Sequence, residues 1–171
     1  MDFITVPFDR SVDRTSFDCG RHASLNAYIS KLASQDEKRN VSRTFMLIDA
    51  GTLIGYYTLA NASLVESDLS EAQMRRMPRY PMPAVLLSRL AVDKHQQGKG
   101  VGKRLISDFF RRVYAVSKHS GVAFIIVDAK DDEAACYYKS LGFVETNTSP
   151  LRLALSTNTL IQGYRACDSD A

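Results

Sequence analysis

The sequence predicts a single mixed α/β domain in which strands outnumber helices, and three observations support this fold class. The chain has 171 residues, 45% of them hydrophobic and 24% charged, which suits one domain with its own core. Short runs of strand-like composition alternate with stretches of helical periodicity. Two runs, 85–92 and 122–127, are apolar at nearly every position, as expected of central strands buried on both faces.

The first half of the chain predicts a short strand, a helix and a hairpin. Residues 3–6 have the composition of a strand, which Pro7 ends. A helix is predicted next because apolar residues follow the i, i+3, i+4, i+7 spacing of one stripe that faces a core: Leu25, Tyr28, Ile29 and Leu32. Residues 43–48 and 53–60 predict the two strands of the hairpin.

The second half predicts the remaining elements of a layered domain. Residues 66–83 combine charged residues with prolines, which predicts a short helix and a stiffened loop before the strand at 85–92. A second amphipathic helix follows, with the apolar stripe Leu105, Phe109, Val113 and Val116. After the strand at 122–127, residues 131–140 predict a helix that ends before Gly142, and two final strands complete the sheet.

Composition excludes several classes of function. The net charge of +3 is too small to indicate a polyanionic partner by itself. No apolar run approaches the roughly 20 residues of a membrane span. No basic segment precedes an apolar stretch at the N-terminus, so a cytoplasmic protein without a membrane partner is expected. The cysteines and histidines are scattered, without the spacing of a disulfide framework or a metal site: Cys19, Cys136, Cys167, His22, His95 and His119.

One segment has the chemistry of an anion site. The run Gln97-Gly98-Lys99-Gly100-Val101-Gly102 follows the strand at 85–92 and opens the second helix. Unpaired amides and the helix dipole favour negative charge there, and glycines let the backbone approach phosphate oxygens. Lys99 and Lys103 add positive charge. The run is not a nucleotide-triphosphate loop of the form GxxxxGK(S/T), and its position and surroundings disfavour a dinucleotide fold.

These residues resemble motif A of the GNAT acetyltransferases, Gln/Arg-x-x-Gly-x-Gly/Ala. An independent element, Ala135-Cys136-Tyr137-Tyr138-Lys139-Ser140-Leu141-Gly142-Phe143, resembles the A-x-x-F/Y-Y-x-x-x-G-F sequence of that family. The resemblance implies the GNAT fold, which is a central mixed, mostly antiparallel sheet splayed between strands 4 and 5 and flanked by helices. It makes 1–171 a single GNAT acetyltransferase domain whose tail, from about 158, stays unassigned.

The resemblance also implies which residues bind acetyl-CoA, the donor. No metal is expected, because the cysteines and histidines lack the spacing of metal ligands. The backbone of Leu90, Ala91 and Val92 would pair with the pantetheine arm like an added strand. The pyrophosphate would lie on the glycine run, which comprises Gln97, Gly98, Lys99, Gly100, Val101 and Gly102 and is followed by Lys103. Tyr138 would meet the thioester end of the donor.

Several segments resemble a subset of the family, the GNAT toxins of bacterial type II toxin–antitoxin systems. They are Phe17-Asp18-Cys19-Gly20 with Leu25-Asn26, Arg43-Thr44-Phe45, Gly55-Tyr56-Tyr57-Thr58-Leu59-Ala60, Arg79-Tyr80-Pro81-x-Pro83 and Leu87-Ser88-Arg89-Leu90-Ala91-Val92-Asp93. Members of this subset acetylate the α-amine of the amino acid on charged tRNA and so block translation. The resemblance therefore implies an aminoacyl-tRNA substrate, a ribbon–helix–helix antitoxin as partner, and a homodimer.

The implied reaction needs a proton for the departing thiolate more than it needs a base, because the α-amine of an aminoacyl ester is weakly basic. Tyr138 occupies the position of the family's general acid, and a phenol is protonated at pH 7. The backbone amide of Leu90 would meet the developing oxyanion. Glu145 and Asp128 stay open as bases, although each is better interpreted as a solvated or structural carboxylate. Direct transfer in a ternary complex is preferred to a covalent intermediate on Cys136.

Four arginines are expected to contact the acceptor: Arg43, Arg76, Arg79 and Arg89. Arg89 is the best motivated, because a charge inside an apolar strand is costly unless it is paired or lies at a ligand site. The others could contact phosphates without reading sequence, and a solvated surface explains each of them as well.

Two alternatives remain open from the sequence. The chain could be a GNAT enzyme that acetylates a small-molecule amine or a protein N-terminus. It could instead be a CoA-binding module that acts mainly through a complex with an antitoxin and DNA. The first alternative differs in the acceptor, and the second does not require acetyl transfer.

Overall fold

A computed structural model of the protein describes residues 3–79 and 81–169, with the side chains of 167–169 excepted. Tyr80 of the proline-rich motif and the Cys167 side chain therefore lie outside the described residues. The chain divides into two compact units. The first unit runs up to Ala60 and includes Ser88–Arg112, and the second consists of Asn61–Leu87 and the chain from Val113 onward.

Seven strands are present in the described part of the chain. They are β1 Val6–Pro7, β2 Arg43–Asp49, β3 Thr52–Leu64, β4 Met82–Val92, β5 Phe124–Asp128, β6 Val144–Thr146 and β7 Ser149–Ser156. Their hydrogen-bonded order is β1-β2-β3-β4-β5-β7-β6. β1/β2, β2/β3, β5/β7 and β6/β7 pair antiparallel, whereas β4/β5 is parallel. The predicted mixed, mostly antiparallel sheet is confirmed.

The helices are α1 Ala23–Ala27, α2 Ala33–Lys38, α3 Glu71–Met74, α4 Val101–Ser117, α5 Asp132–Ser140 and α6 Thr157–Ser169. A π-helical turn, Tyr28–Leu32, joins α1 to α2. Short 3₁₀ turns lie at Glu66–Asp68 and Lys94–Gln96. No helix in the described residues is both long and apolar enough to cross a bilayer.

The first unit corrects two predictions from the sequence. The first strand is Val6–Pro7 and not 3–6, because the pairing partners on β2 are Met46 and Phe45. Leu32 is 47% exposed and does not join the buried stripe. The π-helical turn puts an extra residue into this part of the helix. As a result Ala33 is buried in the place where a regular helix would put Leu32.

The second unit contains the parallel pair of strands and the two C-terminal helices. The β4/β5 ladder runs from Ala84↔Phe124 to Leu87↔Val127, so the last part of β4 lies beyond it. Helix α5 begins where the sequence predicts, since the Asp131 side chain accepts from the Ala134 amide at 2.8 Å. Helix α6 was not predicted, and it occupies the tail that the resemblance left unassigned.

Candidate active site

The glycine run forms an open turn at the N-terminus of α4, in the first unit. Gly98 and Gly100 have φ of +74° and +79°, a left-handed conformation that side chains with a Cβ rarely adopt. An added Cβ at either position would meet no atom within 4 Å, so the turn presents bare backbone to open space. Helical hydrogen bonding begins at Arg104, whose amide donates to the Gly100 oxygen at 3.1 Å. The amides before Arg104 are therefore available to an anion, as a bound pyrophosphate requires.

The charges around this turn suit the same ligand. Lys99 and Lys103 are exposed beside it. The Lys99 Nζ atom donates only a long hydrogen bond, at 3.3 Å, to the side-chain oxygen of Gln96. Both ammonium groups can therefore turn toward phosphate at little cost.

The side chain of Gln97, although the residue is exposed, hydrogen-bonds back to the main chain. Its Nε2 atom donates to the main-chain oxygens of Cys19 at 2.9 Å and Val92 at 3.1 Å. The amide group thereby ties the start of the glycine run to the end of β4 and to a segment 78 residues away in sequence. Gln97 thus shapes the turn through its side chain, leaving only its backbone for the expected contact with the pyrophosphate.

Close packing sets the position of α4 against the sheet. A Cβ added to Gly55 on β3 would lie 2.9 Å from Leu105 Cδ1 and 3.1 Å from the Ala91 oxygen. Glycine is therefore required at this position for the approach of α4 to the end of β4. On β4, Leu90 and Val92 are half-buried and Ala91 is buried. The side chains of this segment pack, as main-chain recognition of a pantetheine arm requires.

A buried polar network, which the sequence reasoning missed, fixes the other side of α4. The Asp108 carboxylate is fully buried and accepts from the Ile4 amide at 2.7 Å and the Tyr57 hydroxyl at 2.8 Å. Arg112 Nε lies 3.4 Å from the same carboxylate and donates to the Tyr57 oxygen at 2.7 Å. Burial raises the pKa of Tyr57, and its hydrogen bond to Asp108 raises it further. The sequence does contain a signal for this network: Asp108 places a charge on the apolar stripe of α4, between Leu105 and Phe109.

Tyr138 lies on α5 in the second unit, with 9% of its surface exposed. Its ring packs edge-on against Phe143 at 5.7 Å. Burial raises the pKa of Tyr138 to about 12, and the neighbouring Tyr137 contributes to the increase. Within the described residues the Tyr138 hydroxyl forms no hydrogen bond, which leaves its proton unused by the protein itself.

The adjacent Tyr137 has the opposite arrangement. Its hydroxyl oxygen is sealed from solvent and has no hydrogen-bond partner in the described part of the chain. Burial also raises the pKa of Tyr137. A buried hydroxyl without a hydrogen bond lowers the stability of the fold and cannot contact a ligand. This fits the interpretation of Tyr137 as a packed residue.

Arg89 is half-buried on β4, in the first unit, and stacks on an aromatic ring. Its guanidinium carbon lies 3.6 Å from the centroid of Tyr28, which is the first residue of the π-helical turn. The Tyr28 hydroxyl is bonded to Ser42 and Asp36, each at 3.0 Å. The ring is thus fixed in place, and a guanidinium over the face of a ring can still donate hydrogen bonds from its N–H groups.

The other three arginines differ in their surroundings. Arg43 donates to the Glu37 carboxylate and to the Glu37 main-chain oxygen, both at 3.0 Å, so it also closes the end of α2. Arg76 and Arg79 are exposed on the segment that follows α3. Arg79 lines a cavity of about 540 Å³ in the second unit, with Met74, Met77 and Met82 among its apolar lining. Nothing in these contacts assigns the three arginines to a ligand.

The remaining sequence candidates occupy surface positions in the second unit. Asp128 forms an ion pair with Arg152 at 3.3 Å, and Glu145 forms one with Lys139. The Cys136 side chain is exposed as a free thiol. Among the described residues, no cluster of three or more His, Cys, Asp or Glu side chains is arranged to hold a metal ion.

Comparison with known families and proteins identifies relatives across most of the chain. The model of the acetyltransferase (GNAT) domain family matches residues 40–145. A curated relative, the "tRNA-acetylating toxin" of Mycobacterium tuberculosis (strain ATCC 25618 / H37Rv), is 38% identical over 143 residues, which covers 84% of this chain and 85% of that protein.

Two solved structures have the same fold. AtaT complexed with acetyl-methionyl-tRNAfMet superposes with a TM-score of 0.85 at 25% identity, covering 95% of this chain and 99% of that chain. A tyrosine-to-phenylalanine mutant of the AtaT toxin, bound to the C-terminus of the antitoxin AtaR and to acetyl-CoA, gives 0.76 at 26% identity, covering 94% and 96%. The family model matches well over half of the chain, and the curated relative is 38% identical across 84% of it. This chain therefore belongs to the GNAT acetyltransferases.

Proposed function

We propose that this protein transfers the acetyl group of acetyl-CoA to the α-amine of the amino acid on charged tRNA, and that it acts as a toxin by blocking translation. The observation that carries the proposal is the similarity, over 84% of the chain, to a protein named for acetylating tRNA. The structural neighbour in complex with acetyl-methionyl-tRNA supports the same acceptor.

The residues of the first unit fit acetyl-CoA as the donor. The turn at Gly98 and Gly100 offers bare backbone, unpaired helix amides and two lysines to the pyrophosphate. Acetyl-CoA supplies an activated thioester when it is bound. The Leu90 amide would donate a hydrogen bond to the carbonyl oxygen of the acetyl group as that oxygen gains negative charge.

Proton transfer is assigned to Tyr138. The acceptor nitrogen forms a bond to the acetyl carbon and loses one proton, while the carbon–sulfur bond breaks and the sulfur gains one. A phenol with a pKa of about 12 is a weaker acid than an ordinary thiol, so complete transfer from Tyr138 alone would cost about 5 kcal/mol. Tyr138 therefore acts as a relay that donates to the sulfur while it takes up the proton leaving the nitrogen, directly or through water.

Arg89 is proposed to orient the acceptor. Its guanidinium lies over the Tyr28 ring, and its N–H groups can bind a phosphate or a carbonyl oxygen at the tRNA end. Arg43, Arg76 and Arg79 are proposed to contact phosphates more distant from the amine, where Lys and Arg add affinity without sequence preference.

The proposed partners are a ribbon–helix–helix antitoxin and a second copy of the chain. The structural neighbour bound to the C-terminus of an antitoxin supports the first. Coexpression with a small reading frame beside the gene should abolish growth arrest. Sedimentation of the purified protein measures whether two copies of the chain associate. A neighbouring frame that leaves growth arrest unchanged would exclude that frame as the antitoxin.

The direct test incubates the purified protein with labelled acetyl-CoA and three acceptors: charged tRNA, the same tRNA after deacylation, and lysine-containing peptides. We expect label on charged tRNA alone, because deacylation removes the α-amine. Label on the peptides but not on charged tRNA would reject the tRNA acceptor and favour another GNAT substrate. A protein that labels nothing, while it still binds acetyl-CoA, would favour the binding module.

A further inference from the structure

Residues 17–20, which resemble the toxins, pack against the residues that lead into the turn at Gly98 and Gly100, which we name the phosphate turn. The Lys94 amide donates to the Asp18 oxygen at 2.8 Å, and the Asp18 amide donates to the Asp93 carboxylate at 3.2 Å. Cys19 offers its main-chain oxygen to the Gln97 side chain at 2.9 Å. Three successive contacts therefore join this segment to residues 93–97, all within the first unit.

The Asp18 carboxylate is the centre of the contact. It forms an ion pair with the Lys94 Nζ atom at 2.8 Å and accepts from the Gly20 amide at 2.8 Å and the Asn26 side chain at 2.9 Å. The Asn26 oxygen accepts in turn from the Cys19 amide at 2.8 Å, which anchors the segment to α1. The hydrogen bond from Lys94, followed by those from Gly20 and Asn26, lowers the pKa of Asp18 to about 2.

The sequence of the segment fits this role. Gly20 has φ of +84°, and a Cβ there would also stand 3.9 Å from Lys94 Cβ. Cys19 is buried at 8% exposure beside the Gln97 contact. The phosphate turn itself has no atoms within 4 Å of the Cβ positions of Gly98 and Gly100. The first residue of the run, Gln97, is held by the hydrogen bonds of its side chain to the main-chain oxygens of Cys19 and Val92.

We infer that Asp18 is a positioning residue for the phosphate turn: it holds residues 93–97 in place and so sets the affinity for acetyl-CoA without contacting the cofactor. This inference rests on the proposed function, in which the turn binds the pyrophosphate. Preorganising a site through the groups behind it is a general way to raise affinity.

The test compares Asp18→Ala with Asp13→Ala. Asp13 makes turn hydrogen bonds of the same kind, to the Thr15 amide at 2.9 Å and hydroxyl at 2.7 Å, but these stay within its own loop. Calorimetry should show about tenfold weaker CoA binding for Asp18→Ala, the equivalent of losing one to two net hydrogen bonds. Asp13→Ala should bind CoA like the wild type. Asp18→Asn, which keeps the acceptor oxygen but loses the charge, should be intermediate.

A second donor separates positioning from general destabilisation. S-acetylpantetheine carries the thioester arm but no pyrophosphate, so its turnover should be the same in Asp18→Ala and the wild type. Equal losses for both donors, or unchanged CoA affinity in Asp18→Ala and Asp18→Asn, would overturn the inference while leaving the proposed function intact. Failure of the wild type to bind CoA would instead contradict the proposed function, and the inference with it.

Discussion

Replacing Tyr138 with phenylalanine should remove catalysis while leaving the fold unchanged. The hydroxyl has no hydrogen-bond partner in the described residues, and its ring contact with Phe143 is retained by phenylalanine. We therefore expect the free energy of unfolding to change by less than about 0.5 kcal/mol. Loss of a proton donor lowers a rate by about a hundred- to ten-thousandfold, so kcat should fall in that range. The KM for acetyl-CoA should stay near the wild-type value, because the substitution does not alter the phosphate turn.

The neighbouring Tyr137→Phe variant is the matched control. It makes the same chemical change on the same helix, but the hydroxyl it removes is sealed and unpaired. Relief of that desolvation penalty should stabilise the protein by about 1 kcal/mol, with kcat unchanged. Steady-state kinetics and urea unfolding on both variants give the four numbers required. Near-wild-type kcat in Tyr138→Phe, or equal losses in both variants, would refute the assignment of the acid.

Three further predictions concern the structure that supports the site. Asp108→Ala should lower the free energy of unfolding in urea by about 3–5 kcal/mol, because it leaves Arg112, whose side chain is 14% exposed, without its carboxylate partner. Glu145→Ala, which breaks the exposed ion pair with Lys139, should lower it by about 0–1 kcal/mol. Similar losses of unfolding free energy in the two variants would contradict a stabilising role for the buried network. Gly55→Ala should lower the free energy of unfolding by about 1–3 kcal/mol and weaken CoA binding measured by calorimetry. The added Cβ would lie 3.1 Å from the Ala91 backbone oxygen, which cannot move freely. Folding raises the pKa of Tyr138 from its ordinary value to about 12. The wild type should therefore lose stability relative to Tyr138→Phe as the pH rises from about 10 to about 12, because the unfolded state deprotonates first. The same dependence of unfolding free energy on pH in both proteins would contradict this.

Periodicity and turn residues were sufficient to predict most of the sheet and two helices. Runs 43–48 and 85–92 became strands because their apolar residues are buried within the layers that the pattern implies. The helix of α5 followed from Asp131 at its start. The π-helical turn was not predictable from spacing, because one inserted residue changes which side chain faces the core without changing composition. Leu32 is exposed for this reason.

The site was predictable where its chemistry is local and not where it depends on distant contacts. A strand, glycines and a helix in sequence indicate an anion site, because the unpaired amides belong to consecutive residues. The hydrogen bond of the Gln97 side chain depends on an oxygen 78 residues away, which leaves no local pattern. Asp108 is visible in the sequence as a carboxylate on an apolar stripe. Its hydrogen-bond partners, Ile4 and Tyr57, are apparent only in the fold.

The most direct test of the central claim is mass spectrometry of the tRNA itself. Charged tRNA is treated with the protein and acetyl-CoA, and nuclease then releases the terminal aminoacyl-adenosine for fragmentation. One acetyl group is expected on the α-nitrogen of the amino acid with the wild type, and a much smaller yield with Tyr138→Phe. An aminoacyl-adenosine that stays unmodified under conditions in which the same preparation consumes acetyl-CoA would contradict it.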